Sequence, residues 1–494
     1  MSSRPRRSHT RRLLAIALPL AAIVAACGNS DDGGSDTTAG TTATTAAAEP
    51  TTTTAAAATT VADASETTAA TATSAAPDTT VASNGTFAPV EGVPGVTDDE
   101  IHFAVLGTKA NNPTGTCILD CYVTGIQAYF DWRNSQGGVN GRQMVLTTKL
   151  DDELALNQQK ALEIVSANDT FATFSAVQLA TGWADIANAG IPLYVWMIHP
   201  PEANGHDNVF GTREPACIDC LQRQVPYAAS LAGATKVASL GYGVSEASKQ
   251  CAEATAASVE EYGAQFGLES AYLGDDLAFG LPNGIGPEVT AMKEAGVDFI
   301  AGCLDLNGMK TLAQELQRQG MLDTTTLYHS NTYDQAFVKE AGELFEGDYV
   351  QAPFRPFEAD PGTSQMNEFL EWMGKDGQPI NELAMDGWIN ADQAFQGIVA
   401  AGPEFDRESV IAATNTWTDY TAGGLIQPID FTRQHTSATN DDAGRAANGP
   451  KYDCIALVKV SGGALEVVGD AAKPWNCWPG ETSAWSEPTA MNFE

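Results

Sequence analysis

Cysteine is the residue type whose number and spacing most clearly suggest a chemical role in this chain of 494 residues. Eight cysteines follow Cys27, and they include a CxxxC pair, Cys117 with Cys121, and a CxxC pair, Cys217 with Cys220. The two pairs together could hold a zinc ion, and a CxxC pair alone could catalyse thiol–disulfide exchange. An even number of cysteines in an exported chain indicates disulfides instead. We predict the disulfides Cys117–Cys121, Cys217–Cys220, Cys251–Cys303 and Cys454–Cys477, with the zinc and redox sites as alternatives.

Motifs of known catalytic sites are absent from the sequence. It has no GxSxG nucleophile elbow, no HExxH, no GxxxxGK[ST] phosphate loop and no GxGxxG after its first predicted strand. Six histidines, with His9 near the N-terminus, leave few candidates for a general base. Acid pairs such as Asp151-Asp152 are expected on a solvated surface when a chain has 62 acids. We expect no enzymatic activity, no cofactor and no metal; a hydrolase that uses Asp or Glu is the alternative.

The charge of the chain excludes one class of partner. There are 26 Lys and Arg against 62 Asp and Glu, which gives a net charge of -36. Five of the arginines lie within the first twelve residues, so the rest of the chain is more acidic still. Such a surface repels phosphate backbones and anionic lipid, and we therefore expect no nucleic-acid binding.

The first 97 residues are predicted to stay outside any folded domain. A basic start and an apolar run at 13–26 are typical of a signal peptide, and the run is short for a membrane span. Residues 24–27, VAAC, resemble the lipobox of bacterial lipoproteins, which implies a signal peptide at 1–26 and a lipidated Cys27. An ordinary signal peptide is the alternative. Residues 27–97 are more than half Thr and Ala, and they form a predicted disordered tether with a mean span of about 45 Å.

Residues 98–494 show the alternation of strand and helix that is typical of an α/β fold with doubly wound parallel sheets. Short apolar runs predict strands at 101–106, 144–149, 171–175, 192–196, 236–240, 297–302 and 325–329. Amphipathic segments lie between them. After residue 345 we predict a strand at 348–352, helices at 362–373 and 382–401, and a strand at 454–460.

Several of these segments carry a family resemblance. GGVNGR at 137–142 is followed by a strand that ends in Asp151-Asp152, and ADI at 184–186 is followed by GIP at 190–192. The segment MKEAGVDFI at 292–300 precedes a helix at 312–320. In order and spacing these segments resemble the leucine/isoleucine/valine-type (type I) periplasmic solute-binding proteins of ABC transporters. The resemblance covers about 98–460.

The resemblance implies two doubly wound α/β lobes joined by three hinge crossings. Lobe one would be 98–213 plus 346–427, and lobe two would be 214–345 plus 428–494. The ligand would lie between the lobes at the carboxyl ends of the strands, and the lobes would close on it by a hinge motion.

Six loops would line that cleft by analogy, at 108–116, 176–181, 197–200, 242–246, 304–307 and 330–333. Val177-Gln178 and His199 stand where amino-acid binders have Ser and Thr, and Asn331 replaces the lobe-two acid that pairs with the ammonium group. Asp305 or Glu246 could take the place of that acid. The departures imply a bulkier or more aromatic cleft, for an amide, an aromatic acid or a peptide-like solute. The predicted ligand-binding residues are Thr108, Asn112, Val177, Gln178, Met197, His199, Tyr242, Glu246, Asp305, Asn331 and Tyr333.

Three residues of these loops, and Trp196 next to one of them, have a structural alternative. His199 could lie in a solvated loop, and Trp196, at the end of a strand, could belong to the core. Asn331 could cap a helix that starts near Tyr333, and Asp305 could cap the helix at 306–319.

Together these features predict a lipid-anchored, monomeric solute-binding component of an ABC importer on the outer face of the cytoplasmic membrane. It would capture a small polar organic solute, such as an amino acid or an amide, and deliver it to ABC permease subunits. Its contact with the membrane would be through the lipid anchor only. The alternative is a ligand-sensing receptor lipoprotein that signals to a membrane partner, since the same lobes can serve both roles. An envelope structural protein is disfavoured.

Overall fold

The structure, a computed structural model, describes residues 90–494 apart from 197–198, 214–219, 376 and 434. All described residues belong to one compact unit, Asp78–Glu494. The predicted signal peptide, Cys27 and the tether up to residue 89 lie outside the described residues. Within the described part of the chain, no helix has the length and apolar character needed to cross a membrane.

The first lobe is built on a sheet of five parallel strands in the order β2-β1-β3-β4-β5. Its strands are β1 (Glu100–Gly107), β2 (Gln143–Asp151), β3 (Ala172–Ala176), β4 (Leu193–Val195) and β5 (Val209–Gly211). Between them lie α1 (Leu119–Ser135), α2 (Asn157–Ala167), α3 (Trp183–Asn188) and α4 (Pro200–Ala203). The central strand β3 is buried throughout, and helices cover both faces of a sheet of this kind; this explains why its strands read as apolar runs in the sequence.

The second lobe is built on a mixed sheet of nine strands. Its order is β14-β13-β11-β10-β9-β8-β6-β7, and β12 pairs with β11. The strands are β6 (Lys236–Tyr242), β7 (Glu269–Leu277), β8 (Phe299–Cys303), β9 (Thr326–His329), β10 (Tyr349–Ala352), β11 (Tyr452–Ser461), β12 (Ala464–Val467), β13 (Trp475–Pro479) and β14 (Thr489–Met491). Strands β6 to β10 pair in parallel, whereas β11 to β14 add antiparallel pairs. The helices of this region are α5 (Gln224–Ala232), α6 (Glu246–Tyr262), α7 (Gly286–Ala295), α8 (Leu306–Gln319) and α9 (Gln335–Ala341).

After β10 the chain returns to the first lobe. It forms α10 (Met366–Lys375), α11 (Glu382–Ala401) and α12 (Arg407–Thr414), and α13 (Asp442–Asn448) then leads into β11. Helix α11 approaches α1 so closely that a Cβ on Gly125 would lie 1.7 Å from the carbonyl oxygen of Ala384. Trp132 of α1 stacks on Trp388 of α11 at 5.3 Å between ring centroids. This packing fixes the later segment of the chain onto the earlier one and interleaves the two lobes in sequence.

Two predicted lobe boundaries need correction. The strand predicted at 348–352 was assigned to lobe one, but Tyr349 of β10 pairs with β9 and β11 in the second sheet. Residues from 428 onward were assigned to lobe two, yet Phe431 contacts Phe210 of β5 with ring centroids 5.5 Å apart. The backbone of Ser437 also donates to Asn204. Because hydrogen-bonded strands and packed rings move together, we propose crossings after Ala352 and after Ser437.

Three predicted disulfides are confirmed: Cys117–Cys121, Cys251–Cys303 and Cys454–Cys477. Cys454 and Cys477 lie directly opposite each other on β11 and β13. Cys220 is disulfide-bonded as well, and its predicted partner Cys217 lies outside the described residues. The zinc alternative is wrong, because three of its four cysteines are oxidised and are not thiolate ligands.

The C-terminal aromatic segment packs behind the second lobe. The ring of Trp478 lies 5.5 Å from that of Tyr227 on α5, and the ring of Trp485 lies 4.8 Å from that of Phe266 after α6. Its rings complete a second hydrophobic core on the helices of this lobe.

Candidate ligand-binding site

A cavity of about 360 Å³ opens between the carboxyl ends of strands from both sheets. Its wall includes Gln178 after β3, Trp196 after β4 and Arg213 after β5, all in the first lobe. From the second lobe come Tyr242 at the end of β6 and residues 303–305 at the end of β8. Crevices outside the carboxyl ends of strands are where open α/β sheets bind ligands.

The structure brings six of the eleven predicted ligand-binding residues into the wall of this cavity. They are Gln178, His199, Tyr242, Asp305, Asn331 and Tyr333. The four that it does not bring there are Thr108, Asn112, Val177 and Glu246. Met197 lies outside the described residues.

The residues outside the wall shape its loops instead. The Thr108 hydroxyl is fully buried and accepts a hydrogen bond from the backbone N–H of Gln178 at 3.0 Å. Asn112 holds its own loop by donating to the carbonyl of Thr116 at 2.9 Å. Glu246 is exposed in the first turn of α6 and accepts from Gln250. Thr108 and Asn112 therefore stabilise loops of the site, whereas Glu246 lies beside it.

His199 is buried, with 5% of its surface exposed, so the solvated-loop alternative is wrong. Its Nε2 donates to the carbonyl of Val177 at 2.7 Å, and its ring packs edge-on against Trp183 at 5.4 Å. Burial lowers the pKa of His199, which favours the neutral imidazole. Trp196 is also buried and lines the cavity, so it belongs to both core and cleft.

The second lobe contributes a tyrosine–aspartate pair. The Tyr242 hydroxyl donates to Asp305 at 2.6 Å, and the same carboxylate caps α8 by accepting from Gly308 at 3.0 Å. The capping role predicted as an alternative for Asp305 is therefore present, within the cavity wall. Burial raises the pKa of Asp305 and that of Tyr242. Asn331 is not the cap of α9, because the N-cap of that helix is Asp334.

Sequence reasoning missed an acidic pair on α11. Glu382 and Asp386 are one helical turn apart and line the cavity beside Arg213, whose Nη2 lies 3.7 Å from Glu382 Oε1. Burial raises the pKa of Glu382 to about 7. Burial, together with the nearby Glu382, raises the pKa of Asp386 well above its ordinary range. The sequence did carry a sign of this pair, because two acids four residues apart are unusual in a helix otherwise rich in core residues.

The pair begins a buried polar stripe on one side of α11. Asn390 and Gln393 continue it, both are fully buried, and the amide of Gln393 donates to the carbonyl of Gly211 at 2.6 Å. The Tyr122 hydroxyl of α1 donates to Asn390. The stripe anchors the middle of α11 to β5 and α1, so the acids at the start of this helix are held on a rigid element.

Polar atoms of the cavity wall are left without a hydrogen-bond partner among the described residues. They come from both lobes and include donors and acceptors: Trp196 Nε1, Arg213 Nε, Gln224 Oε1, Thr332 Oγ1, Asp386 Oδ1 and Gln427 Oε1. A buried polar atom without a partner costs free energy, which a polar ligand in the cavity can recover.

Two hydrogen bonds bridge the lobes next to the cavity. The backbone N–H of Asn307 at the start of α8 donates to the carbonyl of Thr114 at 3.0 Å. Its side-chain amide donates to the carbonyl of Pro113 at 2.8 Å. Gly115 makes this approach feasible, because it has a φ of 77° and a Cβ there would lie 2.6 Å from the Asn307 side chain. The loop after β1 and helix α8 thus form a clasp.

Two lobes whose strand ends face a shared cavity are the architecture of a two-lobed binding protein. The family model described as "Periplasmic binding protein" matches residues 113–463. The chain therefore belongs to the periplasmic binding protein family, in its type I form, whose members bind small solutes and work with ABC permeases. A search of curated proteins finds no match.

Solved structures share the fold at low sequence identity. A fatty acid ABC transporter substrate-binding protein from Thermomonospora curvata is 18% identical with a TM-score of 0.60, over 80% of this chain and 98% of that one. A branched chain amino acid ABC transporter from Thermus thermophilus with bound valine is 18% identical with a TM-score of 0.59, over 75% and 96%. A solute binding protein from R. palustris in complex with benzoate is 15% identical with a TM-score of 0.55, over 76% and 97%. At this identity the likeness shows the fold alone.

Proposed function

We propose that this chain is the extracytoplasmic solute-binding component of an ABC importer, held on the outer face of the cytoplasmic membrane by lipid on Cys27. It captures a small polar organic solute, such as an amino acid or an amide, between its lobes and performs no chemical step on it. The observation that carries the proposal is the cavity between the strand ends of both sheets, with unpartnered polar atoms in its wall.

The nature of the wall supports a polar solute with an organic frame. Trp196, Tyr242 and Tyr333 supply large rigid surfaces, while His199 and Gln178 supply polar groups. The three related structures are named for a fatty acid, valine and benzoate, so one fold accommodates different solutes. The residues of the cavity wall, more than the fold, select among them.

The clasp between the loop after β1 and α8 supports capture by lobe closure. Its two hydrogen bonds join residues on opposite sides of the cavity, and they can form only when the lobes are close together. A solute that contacts both lobes favours this closed arrangement, because it binds the closed form more tightly than the open one.

A thermal-shift screen of the full chain in detergent tests the proposal. Amino acids, amides and aromatic acids are added at millimolar concentration, and a true ligand raises the Tm because it binds only the folded protein. Calorimetry with the ligand found then compares wild type with Asn331→Ala, for which we expect weaker binding at an unchanged Tm without ligand. If no solute in the screen raises the Tm of the folded protein, the binding function is rejected.

Anchoring and import need separate tests. Replacement of Cys27 by Ser removes the acceptor of the lipid, and we expect the protein to move from the membrane fraction to the soluble fraction. Co-purification with an ABC permease would favour import. Association with a membrane signalling protein, and none with a permease, would favour the alternative of a ligand-sensing receptor lipoprotein.

A further inference from the structure

The wall of the cavity carries more carboxylates than cationic groups. Among the described residues that form it, the carboxylates are Asp305, Asp334, Glu382, Asp386 and Asp453, and the guanidinium groups are Arg213 and Arg445. In a partly buried cavity an excess of one sign of charge attracts a solute of the other sign, because water screens the field poorly there.

Three of the five carboxylates are already engaged by the protein. Asp305 accepts from Tyr242 and caps α8. Asp334 caps α9 by accepting from the backbone of Phe337 at 2.9 Å. Asp453 forms an ion pair with Arg223 at 3.0 Å. The remaining two carboxylates, Glu382 and Asp386 of α11, are the least completely paired, because they share Arg213 and Asp386 Oδ1 has no hydrogen-bond partner among the described residues.

These two carboxylates share one cation. Arg213 lies 3.7 Å from Glu382, which is longer than a direct hydrogen bond, and its Nε has no partner. Asp386 is 1% exposed and its Oδ1 has no partner among the described residues. Among the residues that the structure describes, the other titratable groups that face the pair are not cationic; they are Tyr122 of α1, and Tyr333 and Asp334 before α9.

We propose that the solute carries a cationic nitrogen, an ammonium or a guanidinium group, which binds between Glu382 and Asp386. This inference rests on the proposed solute-binding function and names the chemical class of its ligand. A protonated nitrogen donates a charge-assisted hydrogen bond to the free oxygen of Asp386. It also supplies the second positive charge that two buried carboxylates require.

The rest of the wall can hold the remainder of such a solute. Trp196 Nε1 and the Thr332 hydroxyl are buried donors without a partner, and Gln427 Oε1 is a buried acceptor without one. Without ligand, protons take the place of the cation, because burial raises the pKa of both acids. Binding of a cation releases them, so the affinity rises with pH through the neutral range.

The test uses matched sets of small molecules on three carbon frames, n-pentyl, benzyl and isobutyl. Each set contains the primary amine, the carboxylate and the neutral carboxamide, and the full chain is screened by thermal shift. We expect amines to raise the Tm and the carboxylates of the same frame to have no effect. Calorimetry of the best amine in phosphate and in HEPES buffer, which differ in ionisation enthalpy, should show proton release at pH 7.

Variants of the two acids test whether the amine binds beside them. Glu382→Gln and Asp386→Asn should each weaken amine binding at least 10-fold. Glu408→Gln, on the exposed first turn of α12, should leave it unchanged. If a variant does not fold, the wild-type protein still tests the inference through the comparison of amines with carboxylates and through the release of protons on binding. Binding of carboxylates or carboxamides alone overturns this inference and leaves the solute-binding function standing. If neither these sets nor the wider screen shifts the Tm, both are rejected.

Discussion

The Cys251–Cys303 disulfide provides the sharpest quantitative test of how the second lobe is held together. The bond ties α6 to β8 across a sequence separation of 52 residues, and both cysteines lie in the cavity wall. A cross-link restricts the unfolded chain, and the loop-entropy relation gives about 4 kcal/mol for a loop of this length. We expect the Cys251→Ala/Cys303→Ala double variant to lose about 4 kcal/mol of unfolding free energy in this lobe.

The Cys117–Cys121 disulfide supplies the control, because it closes a separation of only 4 residues. The same relation gives about 2 kcal/mol for it. Urea unfolding of the ligand-free protein, followed by tryptophan fluorescence and circular dichroism and fitted for each lobe, compares both double variants with wild type. Equal losses, or a larger loss on removal of the short-range bond, would refute the reasoning from chain entropy.

Three further predictions concern the site and its support. Because burial raises the pKa of Glu382 from 4.5 to about 7, the folded state binds more protons between these values. The unfolding free energy should therefore fall as pH rises from about 4.5 to about 7, and Glu382→Gln should flatten this slope in urea titrations. Asn307→Ala removes one bond of the clasp and should weaken solute binding roughly 3- to 10-fold by calorimetry, as about 1 kcal/mol predicts. Gly125→Ala should lower the Tm strongly in calorimetric scans, because its Cβ meets the Ala384 carbonyl at 1.7 Å, whereas Gly374→Ala in α10, with open space around its Cβ, should not.

Much of the first lobe could be predicted because its strands are buried on both faces. The runs at 101–106 and 171–175 correspond to β1 and β3, and the helix predicted at 382–401 is α11 with the same bounds. The strand β7 escaped prediction, because it is an edge strand in which only two of nine residues are buried, so it has no apolar run and no regular alternation. Strands β13 and β14 escaped for another reason. They are short and pair antiparallel, so their stability comes from neighbours distant in sequence.

The candidate site was predictable in part. Loops that follow strand ends were found, because the carboxyl ends of parallel strands meet at one edge of a sheet. Glu382 and Asp386 were not found, since their helix lies almost 170 residues beyond Arg213 in the chain and packs onto the same lobe only in the folded protein.

The sequence by itself determined the class of fold, the family and the pairing of the cysteines whose bonds the structure describes. These follow from local patterns of apolar residues, from short segments at family spacing, and from cysteines that lie close together in the sequence or within one predicted lobe. Only the tertiary structure decided which residues share the cavity, that His199 is buried, and that two acids compete for one arginine. Burial and the distance between charges depend on the packing of segments far apart in the chain, and these quantities set the pKa values and the charge of the solute that fits.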